Sequence, residues 1–129
     1  MLKRDYYICF QPLIKTLEEI RLTLANALFN YCCRKSSIPV QCTSACDYDR
    51  YTSQLVSYMM SGHSECPTAA LSTVHLCASR GQDQRDCCAR AGIPSQCIRY
   101  CDPSTTSMQT SLRFPCLIYL DKMKGFIAV

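Results

Sequence analysis

The amino-acid sequence predicts a small, disulfide-rich, all-α fold built as a bundle of about six short helices. Three observations carry this. Twelve of the 129 residues are cysteine, a density characteristic of disulfide scaffolds. Their spacing is duplicated: Cys32, Cys33, Cys42 and Cys46 form a CC-x8-C-x3-C pattern that returns 55 positions later as Cys87, Cys88, Cys97 and Cys101. Ile38/Ile93, Pro39/Pro94, Gln41/Gln96 and Asp47/Asp102 match at the same offset, so this is an internal repeat rather than a coincidence of cysteines. Finally, apolar residues recur at steps of three and four, and no alternating run reaches five residues, which favours helices over strands.

The cysteines also decide what holds such a chain together. The hydrophobic fraction of 48% includes all twelve of them, so the conventional apolar core is modest. A native bridge in a small secreted domain contributes ~2–5 kcal/mol, and several together rival the ~5–15 kcal/mol net stability of an ordinary domain.

In chain order, Pro12 to Tyr31 reads as an amphipathic helix with Leu13, Leu17, Ile20, Leu24 and Leu28 on one stripe. Pro12 suits its first turn, and the Cys32-Cys33 doublet follows at its end. Adjacent cysteines rarely reach each other with bridge geometry, so each doublet is expected to tie two separate elements. Ser36-Ser37-Ile38-Pro39 reads as a serine-capped start with Pro39 just inside, and Cys42 and Cys46 fall on one face of that short helix. A further start is expected at Asp47 to Asp49, with Tyr51, Leu55, Val56, Met59 and Met60 as the apolar stripe and Gly62 as the stop. Cys66-Pro67 opens a middle helix whose Leu71, Val74 and Ala78 face inward, with Cys77 near its end and Gly81 closing it. Asp83 caps a brief helix carrying Cys87 and Cys88, stopped by Gly92, and Ile93-Pro94 restarts the chain through Cys97 and Cys101. Serine and threonine make 104–111 a loop. Pro115 opens the last helix, with Cys116, Ile118, Leu120 and Met123.

Disulfides form in oxidising compartments, which points to a secreted protein. The N-terminus offers no matching signal peptide, because Asp5 follows Lys3 and Arg4, and the apolar run from Tyr6 to Phe10 is cut short by Gln11-Pro12. The start of the chain is accordingly read as incomplete, misassigned or cut from a longer chain. No stretch approaches the ~20 apolar residues of a membrane span. The net charge of +4 is spread along the chain, without the dense basic stripe of a nucleic-acid reader.

Catalytic and metal patterns are missing. No C-x-x-C occurs, the doublets suit tetrahedral zinc poorly, and only His63 and His75 could complete a site. His63-Ser64-Glu65 contains triad residue types, but three consecutive residues do not converge on one reacting atom. His63 is read as a loop residue and His75 as a surface or half-buried packing residue. Tyr48, Tyr51, Tyr58 and Tyr100 are read first as core residues, with an interface role as the competing assignment. The chain is therefore expected to be non-enzymatic, with no cofactor and no metal. Its structural disulfide candidates are Cys32, Cys33, Cys42, Cys46, Cys66, Cys77, Cys87, Cys88, Cys97, Cys101 and Cys116, with Cys9 outside the framework.

The framework of two CC-x8-C-x3-C units with Cys66 and Cys77 between them and Cys116 after them resembles the DB module, a family of cysteine-rich extracellular domains described mainly from nematodes. Phe29-Asn30-Tyr31 before the first doublet, the two Ile-Pro steps and Cys77-Ala78-Ser79-Arg80-Gly81-Gln82-Asp83 before the second support it. The resemblance implies a module over residues 25–124, preceded by a separate N-terminal segment at 1–24 and followed by a tail at 125–129. It also implies secretion and a twelfth cysteine near the end of the final helix. Here that region reads Lys124-Gly125-Phe126-Ile127-Ala128-Val129, which leaves Cys116 without its expected partner. The expected function is an extracellular protein–protein contact. The alternatives are a small secreted inhibitor or effector, and a lipid-binding helical domain. Partner, oligomeric state and connectivity stay open at this level, since twelve cysteines allow on the order of ten thousand pairings.

Overall fold

The computed structural model describes Cys9, Phe10, residues 18–102 and residues 116–123. Within these residues every regular element is helical. The α-helices are α1 (Glu18–Lys35), α2 (Ser53–Met60), α3 (Leu71–Ala78), α4 (Arg85–Arg90) and α5 (Leu120–Met123). Four 3₁₀ segments, Val40–Ala45, Thr68–Ala70, Ser95–Cys101 and Cys116–Tyr119, fill the spaces between them. Such short helices are marginal alone, so packing and covalent links must hold them.

α1 extends beyond its expected end. It is described from Glu18 and runs through the doublet to Lys35; Pro12, Leu13 and Leu17 lie outside the described residues. Its buried face is also different. Ala25, Phe29 and Cys33 are buried, whereas Leu24 and Leu28 are 42% and 46% exposed. The reason is local. Cys33 must face its partner Cys46, and residues at i−4 and i−8 share that face. Phe29 then packs on Tyr48 (centroids 4.7 Å apart) and edge-on to Tyr51 (5.9 Å). Aromatic area and two bridges outweigh the leucine stripe. Asn26 and Asn30 complete the contact: Asn26 Oδ1 accepts from the Tyr48 amide (2.8 Å), and Asn30 Nδ2 donates to the Thr43 carbonyl (3.0 Å).

Three expected starts move. Ser36 does not cap the following segment; its Oγ donates back to the Cys32 carbonyl (2.8 Å). Pro39 takes the N-cap position with no side-chain hydrogen bond, and a 3₁₀ helix follows. α2 starts not at Asp47 to Asp49 but after Thr52, whose Oγ1 accepts the Leu55 amide (3.1 Å). Asp47 instead turns the chain, its Oδ1 accepting from the Asp49 amide (2.8 Å). Similarly, the N-cap of α4 is Gln84, while Asp83 Oδ1 accepts the Arg85 amide (3.1 Å) one residue further out.

The stops obey one rule. α2, α3 and α4 all end in the same two-bond motif, in which an amide beyond the helix reaches five residues back. His63 donates to the Tyr58 carbonyl (2.8 Å), Gly81 to Leu76 (2.9 Å) and Ile93 to Cys88 (3.1 Å). The left-handed residue is Gly62 in α2 and Gly92 in α4. In α3 it is Arg80, with φ of 61°, immediately before Gly81. A non-glycine residue in this conformation carries a cost, and its side chain explains why it is kept: Arg80 Nε donates to the Phe10 carbonyl (2.6 Å).

The core is one cluster assembled from every described element. Cys9 and Phe10 belong to it, as do Leu71, Val74 and Ala78 of α3 and Leu120 and Met123 of α5. Ile118 does not; it is 65% exposed, because a 3₁₀ turn rotates it away from the face shared by Cys116 and Leu117. Tyr48, Tyr51 and Tyr100 are buried, and of the four tyrosines weighed as contact residues only Tyr58 is exposed.

Candidate functional site: a duplicated disulfide lattice around a buried histidine

All twelve cysteines are bridged. In the first repeat the doublet separates: Cys33 joins Cys46, and Cys32 joins Cys77 on α3. Cys42 joins Cys66. The second repeat copies this lattice. Cys88 joins Cys101 across the same separation of 13 residues, with Cα atoms 6.6 Å apart against 6.5 Å in the first repeat. Cys97 joins Cys116 as Cys42 joins Cys66. The local backbone repeats too. Pro39 and Pro94 stand at N-caps with nearly the same dihedrals, and the Cys42 and Cys97 amides each donate to that proline's carbonyl at 2.9 Å. An Ile-Pro step forces extended backbone before a tight turn, and the turn brings the third cysteine of each unit back toward the core.

Cys116 therefore has a partner, contrary to expectation, and the bridge that the repeat leaves open is another one. The counterpart of Cys32–Cys77 would join Cys87 to a cysteine following Cys116, and the sequence shows none after that position. Cys87 pairs instead with Cys9, 78 residues upstream. Arg80 secures the same strand of chain, donating from Nε to the Phe10 carbonyl and from Nη2 to the Cys9 carbonyl (3.5 Å). The only sequence signal for this was the parity of the cysteine count.

The second unanticipated feature is His75, which is 1% exposed. Its Nε2 lies 2.6 Å from the Tyr100 carbonyl and its Nδ1 lies 2.6 Å from the Tyr51 hydroxyl. A carbonyl only accepts, so Nε2 carries the proton; Nδ1 accepts from the Tyr51 hydroxyl. Burial pushes the imidazole down to about 4, opposed by the Tyr100 contact, and holds the Tyr51 phenol well above its usual value. Both groups are thus neutral at ordinary pH. Phe10 stands edge-on to the imidazole at 5.3 Å. His75 consequently joins α3 to the segment before α2, to the second repeat and to the N-terminal residues. Tyr48 does related work, its hydroxyl donating to the Ala78 carbonyl (2.7 Å).

The consecutive His63-Ser64-Glu65 does not converge. Ser64 Oγ accepts the Cys66 amide (3.1 Å). His63 Nδ1 is instead 2.8 Å from Ser61 Oγ, and that hydroxyl donates to the Tyr58 carbonyl. Asp83, Arg85 and Asp102 form an ion-pair group beside an open groove of about 420 Å³, also lined by Asp86, Ala89 and Ile98. Among the described residues no group of three or more His, Cys, Asp or Glu is arranged to hold a metal ion, and no helix is long and apolar enough to cross a membrane.

A helical module whose interior is cross-linked by six bridges, four of them in two matching pairs, belongs to the class of small cysteine-rich domains built for oxidising surroundings. The family model of the DB module matches residues 32–127, and the chain belongs to that family. No curated protein and no solved structure matches it.

Proposed function

We propose that the chain is a secreted, non-catalytic module that works through contacts with extracellular proteins. The observation that carries this reading is how the chain distributes its chemistry. Every cysteine is spent on cross-linking, and among the described residues every buried side-chain nitrogen and oxygen has a hydrogen-bond partner. The polar groups of the interior are used to hold it rigid. The surface in contrast carries Leu24, Leu28, Tyr31, Val40, Tyr58 and Ile118 as exposed large apolar residues, the kind of side chain that anchors contacts. Rigid scaffolds of this type bind with little ordering cost.

Among the described residues, two open grooves include charged residues in their lining, Asp83, Arg85 and Asp86 in one and Arg50 and Glu65 in the other, which supports the protein-contact reading over lipid carriage. The test is binding of the oxidised, secreted protein to a panel of recombinant ectodomains by surface plasmon resonance. Saturable binding that disappears on reduction supports the assignment. Absence of binding together with turnover of a substrate or displacement of a bound lipid overturns it.

A further inference from the structure

The outward face of α1 is apolar and faces away from the core that the rest of the helix serves. Leu24, Leu28 and Tyr31 are 42%, 46% and 53% exposed, while Ala25, Phe29 and Cys33 hold the opposite side in the interior. In sequence, Leu17, Ile20, Leu24, Ala27 and Tyr31 follow steps of three, four, three and four, the spacing of a coiled-coil seam; Leu17 precedes the described helix. Such a seam is narrow and suits a second helix, whereas an interfacial membrane helix presents a broad apolar face.

Charge selects the kind of helix. The last turn of α1 holds Arg34 and Lys35, both exposed, with Lys35 Nζ 5.7 Å from the centre of the Tyr31 ring. Between Glu19 and Asp47 the sequence contains no acidic residue. Glu18 and Glu19 occupy register positions roughly 120–140° around the helix axis from Leu24, off the seam. A second copy in parallel would set Arg34 and Lys35 against their own counterparts. An antiparallel copy would not bring Glu18 and Glu19 onto the seam to meet them.

We propose that this face docks an amphipathic helix of another protein whose apolar seam is flanked by acidic side chains. The inference rests on the protein-contact reading above and gives it a location and a partner chemistry. Two synthetic peptides of about 21 residues, three heptads, test it. They share a leucine seam and differ only in carrying glutamate or lysine at the flanking positions. Fluorescence anisotropy at ~50 mM salt is expected to show the glutamate peptide binding at least tenfold more tightly, with the preference shrinking at ~500 mM as charges are screened. The L24E/L28E variant, whose fold is checked by circular dichroism and by absence of free thiols, is expected to lose binding at least tenfold. R34E/K35E, checked the same way, is expected to reverse the preference.

Equal binding of both peptides, or binding of neither, overturns the proposal. So does sedimentation of the unmodified protein as a dimer that L24E/L28E dissociates, which would assign the face to a second copy. Ectodomain binding that survives L24E/L28E refutes this surface and leaves the general function standing. Selective peptide binding with no ectodomain bound does the reverse.

Discussion

The Tyr51 hydroxyl donates to His75 Nδ1 across 2.6 Å, and the same imidazole donates from Nε2 to the Tyr100 carbonyl. One buried, neutral ring therefore ties α3 to the segment before α2 and to the second repeat. Its usefulness depends on staying neutral, because a protonated Nδ1 would present a second donor to a hydroxyl that is itself donating.

The pH dependence follows with a definite sign. His75 sits at about 4 in the folded chain against 6.5 as its ordinary value, so the unfolded chain binds the extra proton between these values. Stability is fully retained above pH ~6.5, falls as pH drops below it, and levels off near pH 4 as far as this group is concerned. The loss is on the order of 3 kcal/mol. Urea melts between pH 7 and 4 should show it, and His75→Gln should be less stable at pH 7 yet show a flatter profile over this window.

Phe29 and Leu28 are neighbours on α1 with opposite surroundings. Phe29→Ala removes a fully buried aromatic side chain and should cost about 3–5 kcal/mol. Leu28→Ala should change stability by less than about 0.5 kcal/mol. Equal losses in denaturant titration would mean the helix buries the leucine stripe instead.

Arg80 combines a strained backbone with a useful side chain. Its φ of 61° disfavours any residue but glycine, while its guanidinium donates to the Cys9 and Phe10 carbonyls. Arg80→Ala keeps the strain and loses the contacts; Arg80→Gly loses the contacts and relieves the strain. The alanine variant should be the less stable by about 1 kcal/mol, measured by thermal unfolding at one pH.

Thr52 caps α2 through Leu55, so Thr52→Ala should cost about 1 kcal/mol and Thr52→Ser much less. Ser37, which the sequence placed in a capping stretch, makes no cap here, and Ser37→Ala should be nearly neutral in the same denaturation assay.

The bridge from Cys9 to Cys87 departs from the pattern of the repeat, since Cys87 pairs upstream where Cys32 pairs downstream. Non-reducing peptide mapping should recover it with the other five pairs and find no free thiol. Cys9→Ser should expose a single titratable thiol, at Cys87, and lower stability by about 2–5 kcal/mol. A peptide joining Cys32 to Cys33, or Cys116 left free, would contradict the lattice.

The all-α class, the duplicated framework and most helix stops were legible in the chain itself. These are local matters: a glycine at Gly62 or Gly92 ends a helix through its own backbone freedom, and an Ile-Pro step turns the chain wherever it sits. The inward positions of α2 and α3 followed from periodicity for the same reason. What only the tertiary structure decided was every choice between equivalent local options. Periodicity pointed the leucine stripe of α1 inward, but bridges from Cys32 and Cys33, with Phe29 against Tyr48 and Tyr51, turned the face of Ala25, Phe29 and Cys33 to the core instead. His75 had no sequence mark separating it from a surface histidine, because its partners lie 24 and 25 residues away. Cysteine pairing is the same problem in covalent form. Spacing shows that thiols recur, but which sulfurs meet depends on how separate helices are brought together, and for Cys9 that meant a partner 78 residues along the chain.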